Sequence, residues 1–336
     1  MSKRPTIVDV ARGAGVSIAV VSYALNGRPG VSEETRARVL RVAEEYGWRP
    51  NVAARSMRAG PKCVGLVLPA GGGTFAGEDR LLQFVTALQE VLAQHRVGTL
   101  VHIADDPEAA AEACARWWAE RQVYAVVLPD VHQDDLRIER MGELAIPAVG
   151  LDGAPTGDTA MVWTDDGPAH ANVADYLLSL GHRRLARVTG RPELAVTRVR
   201  EEAFTAAARR GGGTVTSLAV SAGGGEGAVA TRRLLQSPDR PTAIVFDDDE
   251  MAIAALDVAR RLGIDVPWEL SVVAGVDSAR CRLAIPSLTA LTRSMRDYGS
   301  ATGALLLDLL EGRPAAHHRL EPPALTVRGS TAPAAP

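Results

Sequence analysis

Apolar residues recur at spacings of three and four through the first fifty positions, and from Val64 onward the pattern changes to short apolar runs alternating with longer amphipathic stretches. The first pattern predicts helices. Thr6 is placed to cap a helix over Ile7 to Gly13, with Asp9 three residues on in capping-box position. Gly15 then provides a tight turn, and Ser17 caps a second helix to about Asn26 whose buried stripe is Val16, Val20, Val21 and Leu25. Two short helices joined by a glycine turn form the helix-turn-helix pattern. After a loop of Gly27, Pro29 and Gly30, Ser32 starts a third helix with Glu33 and Glu34 in its first turn. Its apolar side is Val39, Val42, Ala43 and Tyr46, and Gly47 and Pro50 stop it.

The second pattern predicts strands at 64–68, 98–103, 125–128, 148–151, 185–188, 215–220, 243–246 and 271–274. Helices fill the gaps at about 81–94, 107–120, 170–180, 198–210, 228–236, 250–262 and 295–310. Repeated strand–helix units imply parallel sheets covered on both faces, and this many units form two sheets more readily than one, with a seam near residue 160. The predicted fold class is therefore α/β: a small all-α helix-turn-helix head followed by two doubly wound parallel α/β lobes.

Composition sharpens this division. The chain has 336 residues, 46% of them hydrophobic, which is enough for a small module and a large domain. Its net charge of −3 hides an asymmetry: residues 1–60 hold ten Lys/Arg against five Asp/Glu, and the remainder holds 27 against 35. A basic head on an acidic body suits a DNA-docking module joined to a domain that must not itself adhere to phosphate. No run of eighteen apolar residues and no apolar signal core is present, so the expectation is a cytoplasmic, nucleoid-associated protein with no membrane partner. Cys63, Cys114 and Cys281 are far apart and lie in apolar segments, which reads as buried thiols and neither a disulfide framework nor a metal site.

Residues 9–26, DVARGAGVSIAVVSYALN, with VSEETRARV, GWRPN and AARSM downstream, resemble the signature of the LacI family of transcriptional regulators. The resemblance implies that 17–26 is a recognition helix lying in the major groove. Sequence readout then falls on Ile18, Ala19 and Tyr23. Ile18 and Ala19 can only sense thymine methyls or exclude other groups, which leaves Tyr23 as the polar reader. Thr6, Ser17, Ser22, Asn26, Ser32 and Thr35 are the groups placed to position phosphates, and Val20 lacks the hydroxyl of the threonine usual there. Residues 51–58 resemble the family's hinge helix, with Asn51, Ala54 and Arg55 beside Met57, which occupies the position of the leucine wedge that kinks the duplex from the minor groove.

The rest of the chain, through LLSLGHRRLARVTG, PTAIVFDDDEMAIAAL, VPWELSVVAGVDS, IPSLTAL and VRGST, resembles the family's effector domain, whose lobes are of the periplasmic-binding-protein-like type. The implied organisation is a DNA-binding domain over 1–60 and an effector and dimerisation domain over 61–336. Lobe one covers about 61–160 and 291–320, and lobe two about 161–290 and 321–332. Ligands in open α/β sheets sit at the carboxyl ends of strands, which points to the loops after Leu68 (with Phe75), Phe246 and Ala274. The resemblance implies that Arg200 and Asp249 contact the effector, a pairing suited to a vicinal diol. Asp248 stands where asparagine is usual, and Val276 where another aspartate is usual, with Asp277 just after it. These departures favour a neutral sugar with a carbon face or deoxy position toward Val276 over sugar phosphates and nucleotides.

Two glycine-rich stretches, AGGGTFAG and SAGGGEGA, lack the GK[ST] ending of a phosphate loop, and no GxSxG elbow or zinc spacing of histidines is present. No cofactor and no enzymatic activity are expected. Recognition by one short helix discriminates too little, so the expected form is a homodimer on a near-palindromic double-stranded operator, and no C-terminal heptads extend it to a tetramer. The rival reading, a small-molecule carrier with an unrelated helical appendage, leaves the DNA-binding signature without a purpose.

Overall fold

A computed structural model describes residues 5–25, 29–46, 48, 63–70, 75, 78–132, 134–153, 155, 157–191, 194–220 and 223–335. The chain divides into two compact units, residues 1–61 and 62–336.

In the first unit, helix α1 spans Ile7–Ala14, α2 Ile18–Leu25 and α3 Glu33–Glu45. At the start of α1 the Thr6 backbone N–H and hydroxyl both donate to the Asp9 carboxylate, at 2.8 and 2.6 Å. Gly15 takes φ 65°, a left-handed conformation that costs a side-chain-bearing residue but not glycine, and the Val16 N–H returns to the Ala11 carbonyl at 3.0 Å. The Ser17 and Ser32 hydroxyls accept the Val20 and Thr35 N–H groups at 3.3 and 3.2 Å, so each satisfies one of the orphan donors at the start of its helix. Arg36 donates to the Ala24 carbonyl at 2.9 Å and pins α3 to the last turn of α2. Val10, Val21 and Val39 meet in the centre, ringed by Ala11, Ala14, Ala24 and Ala43, whose small size lets the three helices approach closely.

The second unit contains two six-stranded sheets. Strands β1 (Cys63–Pro69), β2 (Gly98–Ala104), β3 (Ala125–Leu128), β4 (Ala148–Leu151) and β5 (Ala160–Thr164) join β11 (His317–Leu320) in the order β11-β5-β4-β3-β1-β2. Strands β6 (Arg184–Thr189), β7 (Thr214–Ala219), β8 (Ala243–Phe246), β9 (Ser271–Ala274) and β10 (Thr289–Thr292) join β12 (Ala324–Thr326) in the order β12-β10-β9-β8-β6-β7. All pairings are parallel except β10 with β12. The first sheet carries α4 (Glu78–Ala93), α5 (Pro107–Ala119) and α6 (Leu136–Glu143); the second carries α7 (Asp166–Ser179), α8 (Ala195–Arg210), α9 (Gly224–Leu235), α10 (Asp249–Arg261) and α11 (Ala279–Leu283). Every residue of β3, β4, β8 and β9 is buried, as a sheet covered on both faces requires. The chain changes sheet three times, after β5, after β10 and after β11. Helix α12 (Met295–Leu310) follows the second change and packs on α4, where Gly299 lies so close to the Phe84 carbonyl that a Cβ would overlap it.

Four strands and two helices are additions to the sequence reading: β5, β10, β11, β12, α6 and α11. All are short. β11 lies at a sheet edge with His317, His318 and Arg319 exposed, so no alternation of apolar residues marks it. Several helices also begin earlier than their apolar stripes. Helix α7 starts at Asp166, where the Asp165 carboxylate accepts the Gly167 N–H at 3.2 Å and Pro168 fits the first turn without losing a hydrogen bond. No single helix among the described residues is long and apolar enough to cross a membrane. The three cysteines are free, with Cys114 and Cys281 buried and Cys63 half-buried.

Candidate functional site

In the head, burial of Val21 and Ala24 turns the opposite face of α2 outward. Ile18 and Tyr23 are 48% and 44% exposed, Ala19 is exposed, and Ser22 is half-buried. A contiguous outward face of two apolar side chains and one phenol can touch thymine methyls and donate or accept one hydrogen bond. Ser17, Ser32 and Thr35 lie at the N-terminal ends of α2 and α3, and the Ser32 hydroxyl also donates to Thr35 Oγ1 at 2.9 Å. Such helix starts carry partial positive charge and suit phosphate oxygens. Asn26, Asn51, Ala54, Arg55 and Met57 lie outside the described residues.

In the body, the carboxyl ends of both sheets bring charged residues together. Asp152 follows β4, Asp166 opens α7 after β5, and Arg293 follows β10. The Arg293 guanidinium donates to both Asp166 oxygens at 2.6 Å, to Asp152 at 2.8 Å and to the Tyr298 hydroxyl at 3.1 Å. Tyr298 in turn donates to Asp152 at 2.6 Å. Arg200, on α8, binds the same Asp166 through Nε at 2.8 Å and Nη2 at 2.6 Å. Burial alone would raise the Asp166 pKa, but Arg200 and Arg293 outweigh it and hold the carboxylate well below its ordinary range. Arg80, buried on the first turn of α4, is pushed down to about 10 by burial and by the nearby Arg293 and Arg200, against the pull of Asp152 and Asp249. Beneath this cluster Arg187, fully buried, is ion-paired with Asp247, whose other oxygen accepts the Gly190 N–H at 3.0 Å.

The residues singled out from sequence are distributed unevenly around this cluster. Arg200 belongs to it through Asp166, and its hydrogen bonds go there and not to Asp249. Asp249 is 1% exposed; one oxygen accepts the Ser278 hydroxyl at 2.5 Å and Oδ1 has no hydrogen-bond partner. Asp248 caps α10 by accepting the Met251 N–H at 2.7 Å, and burial raises its pKa to about 6. Asp277 is bound by Arg328 at 2.9 and 2.7 Å and by Thr292 at 3.1 Å, which anchors the C-terminal segment to β9. Asp248 thus caps a helix and Asp277 anchors Arg328, structural duties that the sequence reading did not assign to them. Phe75 packs against Phe84 in the core of the first lobe, the ring centroids 4.6 Å apart and the planes tilted by 51°, so its ring is a packing element there. Val276 is half-buried, and its carbonyl accepts the Cys281 thiol at 3.5 Å.

Arg80, Asp152, Asp166, Arg293 and Tyr298 were missed from sequence. A signal was available for three of them, because Asp152, Asp166 and Arg293 stand within two residues of the carboxyl end of a strand, where open α/β sheets bind ligands. A cavity of about 230 Å³ also opens between the lobes, lined by Leu68, Pro69 and Asp130 on one side and Arg191 and Leu194 on the other. No group of three or more His, Cys, Asp or Glu among the described residues is arranged to hold a metal ion.

Residues 6–51 match the family described as bacterial regulatory proteins, lacI family, and residues 174–331 match the periplasmic binding protein-like domain. The HTH-type transcriptional regulator reg1 of Streptomyces lividans is 30% identical over 340 residues, spanning 97% of this chain and 96% of the relative. Among solved structures, a LacI family transcriptional regulator from Bifidobacterium animalis subsp. lactis aligns with a TM-score of 0.74 at 32% identity, covering 82% of this chain and 99% of that one. The transcriptional regulator CelR in complex with cellobiose aligns with a TM-score of 0.72 at 26% identity, covering 97% and 100%.

Proposed function

Because this chain belongs to the LacI family of bacterial regulatory proteins, we propose that it is an operator-binding transcriptional repressor whose DNA affinity is set by a sugar held between its two lobes. The family consists of transcriptional regulators, which are not enzymes, and their helix-turn-helix head is the part that binds DNA. The observation that carries the reading is the outward face of α2: Ile18, Ala19 and Tyr23 exposed on a helix whose other side is locked into the head's core. As a homodimer in the cytoplasm, on the nucleoid, the protein would set two such helices on half-sites one helical turn apart, so the operator is near-palindromic. Residues 51–58, with Met57 as a minor-groove wedge, would kink the central step.

The effector site is the arginine–aspartate cluster with Asp249, at the carboxyl ends of both sheets. Buried carboxylates and guanidinium groups at fixed spacing suit a polyhydroxylated ring, which both donates and accepts, and CelR, of the same fold, is a cellobiose complex. A ligand bridging the lobes changes the relative stability of two lobe arrangements, and that difference alone is what it can transmit to the DNA-binding end.

Selection of bound oligonucleotides from a random pool tests the DNA half of the reading. The expected outcome is an inverted repeat with thymines where Ile18 and Ala19 meet the groove; an asymmetric single half-site, or no enrichment, counts against it. Thermal-shift screening tests the other half. Neutral sugars should stabilise the wild type and lose their effect in Arg200→Ala, whereas a sugar phosphate or purine that stabilises both proteins equally excludes the sugar reading.

A further inference from the structure

The parallel strands β6, β7, β8 and β9 all begin at one edge of the second sheet, and the helices that lead into them end there. Helices α8, α9 and α10 each carry an arginine pair in the last turn: Arg209 with Arg210, Arg232 with Arg233, and Arg260 with Arg261. Arg183 and Arg184 stand where β6 begins, and Arg240 lies just before β8. Hydrogen bonds knit these turns together. The Thr214 N–H donates to the Arg183 carbonyl at 2.8 Å, and the Thr242 N–H to the Arg184 carbonyl at 2.9 Å. Arg184 Nε donates to the Arg240 carbonyl at 3.0 Å, and the Arg240 guanidinium lies 3.8 Å from Glu269. Next to Glu269 the Trp268 side chain stands 68% exposed.

Helix C-terminal ends favour positive charge without any function, and that accounts for the place of these arginines but not for their number. Segments 180–184, 207–214, 232–242 and 257–270 hold nine arginines against four carboxylates, in a domain where residues 61–336 hold 27 Lys/Arg against 35 Asp/Glu. Arg210 has Asp175 at 3.6 Å, and Arg260 and Arg261 share Asp257 at 2.6 and 2.7 Å. Among the described residues no carboxylate pairs with Arg184, Arg209, Arg232 or Arg233, all of which are exposed. Tryptophan and arginine are enriched among the few residues that dominate the energy of protein–protein interfaces. A guanidinium takes a carboxylate through two parallel hydrogen bonds, and the indole face takes an apolar side chain. A nucleic-acid backbone fits this edge less well. Asp239, Asp257, Asp265 and Glu269 interrupt the arginines, and the edge gathers helix C-terminal ends, whereas phosphates favour N-terminal ones. A polypeptide can set its carboxylates opposite the arginines alone, which a continuous line of phosphates cannot.

We propose that this edge of the second lobe is a docking surface for an acidic polypeptide segment of a partner protein, its carboxylates pairing with the arginines and an apolar side chain covering Trp268. Helix α10 separates the surface from Asp249 by about 18 Å at the usual helical rise, so the segment docks clear of that residue.

Selection of a random peptide library on the full-length protein at physiological salt tests this. The enriched peptides should combine Asp or Glu with at least one apolar side chain. The most enriched of them, synthesised, should bind the wild type at least ten-fold more tightly than Trp268→Ser or the double variant Arg232→Glu, Arg233→Glu, at unchanged thermal midpoints. Trp268→Phe, which keeps an apolar ring, should retain most of the affinity. Peptide binding should also shift tryptophan emission to shorter wavelength in the wild type and not in Trp268→Ser. Enriched peptides that are neutral or basic, or that bind the wild type and both weakened variants alike, overturn the proposal. It is also overturned if duplex DNA without an operator, or phosphatidylserine vesicles, lose binding with the same variants, since the surface would then serve nucleic acid or membrane. Self-association in sedimentation that Trp268→Ser abolishes would make the occupant a second copy of this chain and overturn it too. Each of these outcomes leaves the operator and sugar readings standing.

Discussion

Two titratable side chains near the cleft, half-buried Asp248 and buried His170, act on stability in opposite directions. Asp248 has its pKa raised to about 6, by burial first and then by Asp249, Glu250 and Asp247, against the Met251 N–H that favours its charged form. Its folded pKa lies above the ordinary aspartate value, so the charged form costs stability at neutral pH and the cost is relieved as pH falls through about 6. Asparagine caps a helix as well as aspartate and carries no charge. Asp248→Asn is therefore expected to stabilise the body by about 1–2 kcal/mol at pH 7, discounting the full shift for partial exposure, and by less at pH 5, as read from urea midpoints. Equal midpoints for both proteins at pH 7 would contradict this. His170 behaves in the opposite sense. Its Nδ1 lies 3.0 Å from the Asp166 carbonyl, which can only accept, so Nδ1 carries the proton and the buried Nε2 has none. Burial, with Arg187 and Arg200 close by, lowers its pKa to about 3. Stability that depends on neutral His170 is present above about pH 6.5 and is lost as pH falls, by about 2 kcal/mol between pH 6.5 and 5. In the Asp248→Asn background, His170→Gln should flatten that acid limb; an unchanged slope would assign the loss to other groups.

At the scale of elements, legibility followed length and burial. Helices with long apolar stripes, such as α5, α10 and α12, were placed from sequence within one or two residues, and the fully buried strands β3, β4, β8 and β9 were placed to the residue. Short or edge elements were not, because three to five residues hold too little periodicity to separate strand from turn. The same limit hid Asp166 and Arg293, which follow the unread strands β5 and β10, so the partner of Arg200 had no position. Asp249 and Arg200 were legible because they lie on long helices inside recognisable motifs. The α4–α12 contact adds a test of packing at this scale. Gly299 faces the Phe84 carbonyl and the Ala87 Cβ, and Gly303 faces Val91, so these two glycines let the helix axes come together. Gly299→Ala should force them apart and destabilise the body by about 1–3 kcal/mol in chemical denaturation, whereas Gly142→Ala, at an open position, should not destabilise it. Equal effects of the two would mean that the contact yields without cost.

For the whole molecule, the basic head and acidic body divide two kinds of recognition between two compact units, and the effector can reach the operator only through an equilibrium of the protein itself. Arg293 stands where the chain leaves β10 for α12, at one of the three crossings between sheets, and it ties Asp152 of one lobe to Asp166 at the other's edge. A ligand at that crossing controls the lobes only if its contacts differ between two lobe arrangements; a ligand that binds both equally shifts nothing however tight. The coupling must be reciprocal. If a sugar changes operator affinity by some factor, within the 5–150-fold usual for allosteric pairs, saturating operator must change the affinity for that sugar by the same factor and in the same direction. Titrating the sugar calorimetrically with and without a selected operator, and the operator by fluorescence anisotropy with and without the sugar, measures both factors. Equal factors other than one establish the cleft as the control site; a factor of one in both directions would show that the cleft binds a ligand without controlling DNA.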